Sequence, residues 1–250
     1  MSIVFSNTTT KSGIIQKIER HCGFNDGDIS GNATRLAQFT GEVNSTHDYI
    51  LAMIFEVGGE WQFDDTNHTD YPIITTNLVS GQRDYSFTTD GSGNLVLDIY
   101  KVMVADSNGL FREMLPVNQQ NNSLTGSAPA NYSDGQNTQG IPNTYDKTGN
   151  GIFLDPIPNY ARTAGLKVFI NREGSYFTVA DTSKKPGIAG LFHDYYALRP
   201  SYMYCLDNQI KIKGDLKNEM LEMEEAIKNY YKAREKDNPK RLTVLTNNSR

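Results

Sequence analysis

The chain has 250 residues, of which 38% are hydrophobic and 21% charged, and its formal net charge is -5. These values fit one large or two small folded domains, and they exclude a wholly disordered chain and a protein covered in basic residues for binding nucleic acid. Two cysteines, Cys22 and Cys205, cannot build a disulfide framework, so we expect free thiols in a reducing compartment. We also expect neither a membrane span nor a signal peptide, because the apolar runs are short and the first residues lack a basic and then apolar pattern.

The first quarter of the chain is predicted to be helical. Residues 11–23 have isoleucines on one side of a short amphipathic helix, and a turn rich in glycine, aspartate and asparagine follows at 23–32. A heptad series then predicts a longer helix, either continuous or broken near Gly41. The series consists of Leu36, Val43, Ile50 and Val57. Two glycines at 58–59 are typical of the end of a helix.

The middle of the chain has the alternation and the β-branched and aromatic content of strands. We predict a meander of three or four strands and then further strands that return to the same sheet or form a sandwich. The predicted strands are 71–79, 83–89, 94–105, 111–115, 151–156, 165–173 and 175–180. The intervening residues 118–151 are polar, so we predict a loop that becomes ordered only against neighbouring subunits.

Two more helical regions are predicted after the strands. The first covers 187–207, and Pro200 is expected to kink or split it. The second begins at Asp215 and ends before Asn238-Pro239, and its apolar residues have coiled-coil spacing. These residues are Leu216, Met220, Met223, Ile227 and Tyr230.

Together these elements predict an α+β fold. Residues 1–63 and 187–237 would form a helical bundle, and 64–186 a β-rich insertion, an antiparallel sheet or sandwich that includes the polar loop 118–151. Residues 238–250 would form an extended C-terminal arm.

Few residue groups in the chain are suited to catalysis or metal binding. Asp26 and Asp28 resemble the first half of a calcium loop, but Ala37 stands where the bidentate acid belongs, and a similar loop at Asp146 also fails. His21 and Cys22 are adjacent, but a second ligand pair with zinc spacing is absent.

His193-Asp194 and Cys205 suggest a thiol hydrolase only weakly, because no glycine-rich nucleophile turn surrounds Cys205. We therefore predict a protein that is not an enzyme and has no cofactor and no metal.

The segment 54–87 has a more specific pattern. A helix ends on glycines, the only tryptophan follows, and the turn WQFDDTNHTDYP leads into strands. This segment, with the charged helix near residue 220, resembles the head-to-tail adaptor (connector, or head-completion) proteins of tailed bacteriophages. Members of that family are compact helical bundles, so the β-rich stretch at 72–180 is a departure that reads as an insertion.

The resemblance implies a structural virion protein made in the host cytoplasm and located in the neck, at the head–tail interface. The subunits would form a homo-oligomeric ring of about twelve around the DNA channel. The ring would join the portal protein to a tail protein or the next neck ring, with no membrane contact. DNA would pass through without sequence-specific binding.

In this reading, Trp61 and Phe63 of the turn would close the base of the helical bundle by ordinary core packing. Asp64 and Asp65 would cap the turn or pair with a neighbouring subunit. The C-terminal arm is predicted to dock on the portal through charge and a short apolar strand, against the simpler reading of a frayed terminus. The docking residues are Lys240, Arg241, Leu242, Val244 and Leu245.

Two other functions remain open. A β-rich module of a phage tail could bind a carbohydrate or a protein partner through its tyrosine- and asparagine-rich surface. An enzyme of unknown mechanism is the third reading.

Overall fold

The computed structural model of the protein describes residues 3–58, 72–91, 93–117 and 139–234. The chain divides into two compact units, one made of Met1–Gln62 with Phe177–Arg250 and the other of Phe63–Tyr176. The described helices lie in the first unit and the described strands in the second. The predicted mixture of helices and antiparallel sheets is therefore confirmed. We call the two parts the helical unit and the β unit.

The helical unit begins with α1 (Ile14–Cys22) and α2 (Ala33–Gly58). α1 buries its isoleucines and ends at Gly23, whose φ of 75° is easily adopted by glycine. The side chain of Asn32 caps α2, because its Oδ1 accepts hydrogen bonds from the backbone N–H groups of Thr34 and Arg35, both at 3.1 Å. α2 continues through Gly41, so the break near Gly41 that the sequence left open does not occur.

The helical unit is completed by a 3-10 turn (Gly190–Phe192), α3 (Tyr195–Asp207) and α4 (Lys213–Arg234). Pro200 lies inside α3, which runs past it as a single helix, so the proline does not split this region. A proline removes one hydrogen-bond donor from the helix backbone and so destabilises the helix. The burial of neighbouring side chains in α3 offsets this loss of stability.

The coiled-coil seam predicted for α4 is wrong at its last position. Leu216 and Ile227 are buried as expected, but Tyr230 is 36% exposed and Tyr231 is fully buried instead. The buried position is Tyr231 because its hydroxyl accepts a hydrogen bond from the backbone N–H of Ala189 at 3.1 Å, whereas the Tyr230 ring packs edge-to-face on Phe192 and Tyr231.

The described residues of the β unit form ten strands. They are β1 (Ile73–Leu78), β2 (Asp84–Ser86), β3 (Val96–Ala105), β4 (Phe111–Glu113), β5 (Leu115–Pro116), β6 (Gln139–Gly140), β7 (Thr144–Thr148), β8 (Gly151–Asp155), β9 (Ile157–Pro158) and β10 (Arg162–Arg172). One four-stranded sheet has the order β1-β10-β3-β4, and another has the order β2-β8-β7-β5. β6 and β9 form a parallel pair.

The predicted meander is wrong, because β1, β2 and β3 are not neighbours. β10 lies between β1 and β3, with Phe169 paired to Ile73 on one side and to Lys101 on the other. β2 belongs to the other sheet, where Tyr85 pairs with Ile152. Both predicted alternatives occur, since β10 returns to the sheet of β1 and β3, and the two sheets contribute side chains to one buried cluster as in a sandwich. Val102, Val168 and Leu154 are among its fully buried members.

The prediction of a polar loop over 118–151 is wrong for the part that the structure describes. β6 and β7 lie within it and β8 begins at its end, and Tyr145 of β7 is 3% exposed in the core of the sandwich. Successive side chains of a strand point to opposite faces, so the polar neighbours of Tyr145 in sequence do not have to enter the core. The large apolar area of one buried tyrosine is then enough to hold this short strand against the sandwich. Residues 118–138 of this segment lie outside the described residues.

The predicted strand at 175–180 is also absent. Phe177 of this segment is buried in the helical unit, where its ring stacks on Phe5 with centroids 4.9 Å apart. Its backbone N–H and C=O are satisfied by the amide of Asn44, at 2.8 and 2.9 Å, instead of by a strand partner. The helical unit therefore resumes at Phe177, although the sequence placed the boundary near residue 186.

Candidate functional site

The residues predicted to carry the adaptor function cannot be placed. Trp61, Phe63, Asp64 and Asp65 lie outside the described residues. The same is true of the predicted arm residues, which are Lys240, Arg241, Leu242, Val244 and Leu245. The resemblance segment is described only at its two ends, where α2 ends at Gly58 and β1 begins at Ile73.

His193 is fully occupied by structural hydrogen bonds. The backbone N–H of Ile3 donates to its Nδ1 at 2.9 Å, and its Nε2 donates to the carbonyl of Ile188 at 3.0 Å. This arrangement fixes the neutral tautomer with the proton on Nε2. Burial lowers the pKa of His193 below its usual value. The ring therefore ties the first residues to the loop before α3.

The two cysteines are poorly suited to nucleophilic attack. Both are buried, Cys22 at the end of α1 and Cys205 in α3. Burial raises the pKa of the Cys22 thiol to about 12, and it raises the pKa of Cys205 as well. Asp194, next to His193, pairs with Lys17 instead of orienting the histidine ring.

The two candidate calcium loops have structural roles. Asp28 accepts a hydrogen bond from the backbone N–H of Asn25 at 2.9 Å, which is a turn contact, and Asp26 lies 3.8 Å from Lys11. Asp146 is 6% exposed within β7. Within the described residues, no group of three or more histidine, cysteine or acidic side chains could hold a metal ion.

A pocket of about 300 Å³ opens on the helical unit between α2 and α3. Phe39 of α2 and Tyr204 of α3 face each other there, with ring centroids 5.6 Å apart. Phe24, from the turn after α1, completes the group at 5.1 Å from Tyr204 and 6.2 Å from Phe39. Phe39 is 5% exposed, so these rings form a fixed floor of tilted and edge-to-face contacts.

Charged groups surround this aromatic floor. Arg35 lies over the Phe24 ring with its guanidinium carbon 5.1 Å from the centroid. Glu42 and Asp207 also line the pocket, and neither carboxylate makes an ion pair within the described part of the chain. We call these six residues the aromatic pocket: Phe24, Arg35, Phe39, Glu42, Tyr204 and Asp207.

No pattern in the sequence indicates the aromatic pocket. Its residues come from a turn and two helices that are far apart along the chain. Phe39 reads as one more apolar position of α2, and Tyr204 is one of 14 tyrosines. Only the packing of α2 and α3 shows that these rings meet beside two acids that make no ion pair with another described residue.

A second cluster of aromatic and charged residues lies on the β unit, on the face of the β1-β10-β3-β4 sheet that points away from the sandwich core. Lys101 lies over the Phe169 ring at 5.5 Å, and Lys167 lies over the Phe111 ring at 4.1 Å. Glu113 pairs with Lys101 at 3.1 Å. The lysines are therefore held along apolar rings by cation–π contacts, as the side chains of a half-exposed sheet face often are.

No described helix has both the length and the apolar character needed to cross a membrane. No known family model matches the chain, and no curated protein matches it at a significant level.

Proposed function

We propose that the protein is a structural subunit of a tailed-phage virion, an adaptor that forms a ring between the portal and the tail. The helices from both ends of the chain would form the bundle of the adaptor, and the β unit would be an insertion that adds a second binding body. The ring, of about twelve subunits, would surround the channel through which DNA passes.

The observation that carries this proposal is the layout of segment 54–87. A long helix closes on Gly58, and strand β1 begins at Ile73 after the motif that contains Trp61. The resemblance to adaptor proteins has this order of helix, tryptophan turn and strand. The later helices α3 and α4 pack with α1 and α2 in one unit, which is also the arrangement expected of an adaptor bundle.

The chemistry of the described residues supports a structural role. The most reactive residue types that the sequence offered, His193 and the two cysteines, are engaged in packing and hydrogen bonds. A net charge of -5 also suits a subunit that lines a channel, because a cationic lining would bind DNA phosphates and slow their passage.

Purified full-length protein tests the proposal. Light scattering should give the mass of a ring, and electron microscopy should show particles with a central opening wide enough for double-stranded DNA. Antibodies to the protein should label purified virions at the neck. A chain that is monomeric at every concentration and absent from the virus particles would contradict the proposal.

A second candidate function is favoured by the outer face of the β unit. Phe111 and Phe169, flanked by lysines, offer rings on which a sugar or a partner side chain could stack. In that case the protein would be a partner- or carbohydrate-binding module of a phage tail. Binding of a glycan that is lost in Phe169→Ala, together with a monomeric or small closed oligomeric state, would favour this function over the ring.

A further inference from the structure

The aromatic pocket has the properties of a receptor for a basic side chain. Glu42 and Asp207 line it with negative charge, and the mutually tilted rings of Phe24, Phe39 and Tyr204 supply an apolar floor. A guanidinium or ammonium group gains from both features, since it pairs with carboxylates and stacks on aromatic faces. The position of Arg35 on Phe24 shows that this cluster accepts a guanidinium.

The chain carries a segment with the complementary chemistry. Residues 236–250 hold four basic residues and one acidic residue, and they include the apolar run from Leu242 to Leu245. A short peptide of this kind can place a basic side chain in the aromatic pocket and its apolar side chains beside it.

We propose that this segment of one subunit docks in the aromatic pocket of a second copy, with Lys240 or Arg241 between Glu42 and Asp207. The inference rests on the proposed ring, and it names the contact that joins neighbouring subunits. This partner differs from the portal, which the sequence alone predicted for the arm.

The end of α4 and the aromatic pocket are two different surfaces of the helical unit. The Tyr231 hydroxyl, near the end of α4, accepts a hydrogen bond from the backbone N–H of Ala189, just before α3. The pocket residue Tyr204 lies near the other end of α3, about 13 Å along the helix from its first residue, Tyr195. α4 therefore ends beside the loop before α3, whereas the aromatic pocket lies towards the other end of α3. A contact between two different surfaces of identical subunits is heterologous, and repeated contacts of this kind close a ring when the rotation between neighbours completes a full turn.

Two charge-reversed variants of the full chain test the docking. The pocket variant carries Glu42→Lys and Asp207→Lys, and the arm variant carries Lys240→Glu and Arg241→Glu. We expect each variant alone to be monomeric at concentrations at least about tenfold above those at which the wild type assembles. A mixture of the two should regain assembly into particles that contain both variants, because the unchanged arm of the pocket variant fits the unchanged pocket of the arm variant and the reversed arm faces a pocket of opposite charge.

The matched control reverses two exposed acids of α4, Glu222→Lys and Glu225→Lys, and should assemble like the wild type. Circular dichroism checks that each variant is folded, and Glu42→Gln with Asp207→Asn replaces the pocket variant if the reversal unfolds the chain.

Each remaining result overturns the inference. Assembly of either reversed variant like the wild type would show that the contact does not hold subunits together. A mixture that stays monomeric would show that the arm does not act between copies. A wild type that never assembles alone would also refute the docking, whereas the proposed virion role would stand if antibodies still label the virion neck.

Discussion

At the scale of single residues, buried polar side chains stabilise the helical unit by binding the backbone of loops and turns next to the helices. His193 joins the first residues to the loop before α3, and Glu19 of α1 holds the turn that leads to α2. Both side chains are nearly inaccessible to solvent, so each hydrogen bond lost from them leaves a buried group without a partner.

His193 makes the stability of the helical unit depend on pH. Because burial lowers the pKa of the folded-state ring, its contribution is fully present above the unfolded-state pKa of about 6.5 and is lost as the pH falls below that value. We expect the melting temperature, followed by circular dichroism, to fall between about pH 7 and pH 5. In His193→Gln this fall in melting temperature should be smaller. It should not disappear, because burial also lowers the pKa of His21. An unchanged slope in the variant would contradict the assignment.

Glu19 provides a second prediction. Its Oε1 accepts hydrogen bonds from the backbone N–H groups of Ile29 and Ser30, both at 2.9 Å. Glu19→Ala should lower the free energy of unfolding by about 2–4 kcal/mol, because two buried donors lose their acceptor. Glu19→Gln keeps one acceptor oxygen and should lose less. Urea denaturation measures both, and equal losses would show that packing, not hydrogen bonding, is the main role of this side chain.

At the scale of elements, the sequence predicted helices better than strands. The isoleucines of α1 and the heptad series of α2 predict those helices because the signal for a helix lies within one short segment. The strand content was also visible, but the order of the strands was not. β10 pairs with β1 and β3 through residues that are about 90 and 70 positions apart, and no local pattern encodes such a pairing.

Gly41 gives a prediction for α2. The glycine lies in the helix interior, and a Cβ added to it would have no atom within 4 Å. Gly41→Ala should therefore raise the free energy of unfolding by about 0.5–1 kcal/mol, since alanine loses less backbone entropy in a helix.

The contrasting variant is Gly13→Ala. There the new Cβ would lie 2.5 Å from the backbone nitrogen of Asn7 and 2.8 Å from the Cα of Ser6, so this variant should be destabilised. Thermal unfolding of both variants at one protein concentration makes the comparison. A destabilised Gly41→Ala would indicate that this face of α2 is covered by another molecule.

At the scale of the whole molecule, each unit has its own core. The buried cluster of the sandwich contains residues of the β unit alone, and Leu166 of β10 is fully buried in it. Leu166→Ala should destabilise the β unit by about 2–5 kcal/mol. In hydrogen exchange, peptides from β7, β8 and β10 should lose protection while peptides from α3 retain it. The exposed position Thr75 on β1 supplies the control, Thr75→Ala. Equal loss of protection in α3 would show that the two units unfold as one.

The candidate site depends on the whole molecule in the same way. Composition and motifs could indicate that catalytic groups were scarce, because that inference needs only residue types and spacings. The aromatic pocket could not be found in this way, since it depends on three rings brought together by tertiary packing and on two acids that pair with no other residue in the described part of the chain. Segment 54–87 gave the functional hypothesis, and its central residues lie outside the described ones.

The division of the helical unit along the chain also affects how the protein is made. Residues 63–176, a stretch of 114 residues, are synthesised after α2 and before α3. At 5–20 residues per second, the ribosome needs roughly 6 to 23 seconds for that stretch. During this time the isoleucine faces of α1 and α2 have been made, but the helices that cover them have not. The sandwich can fold first, and the early helices are the part of the nascent chain that most needs a chaperone.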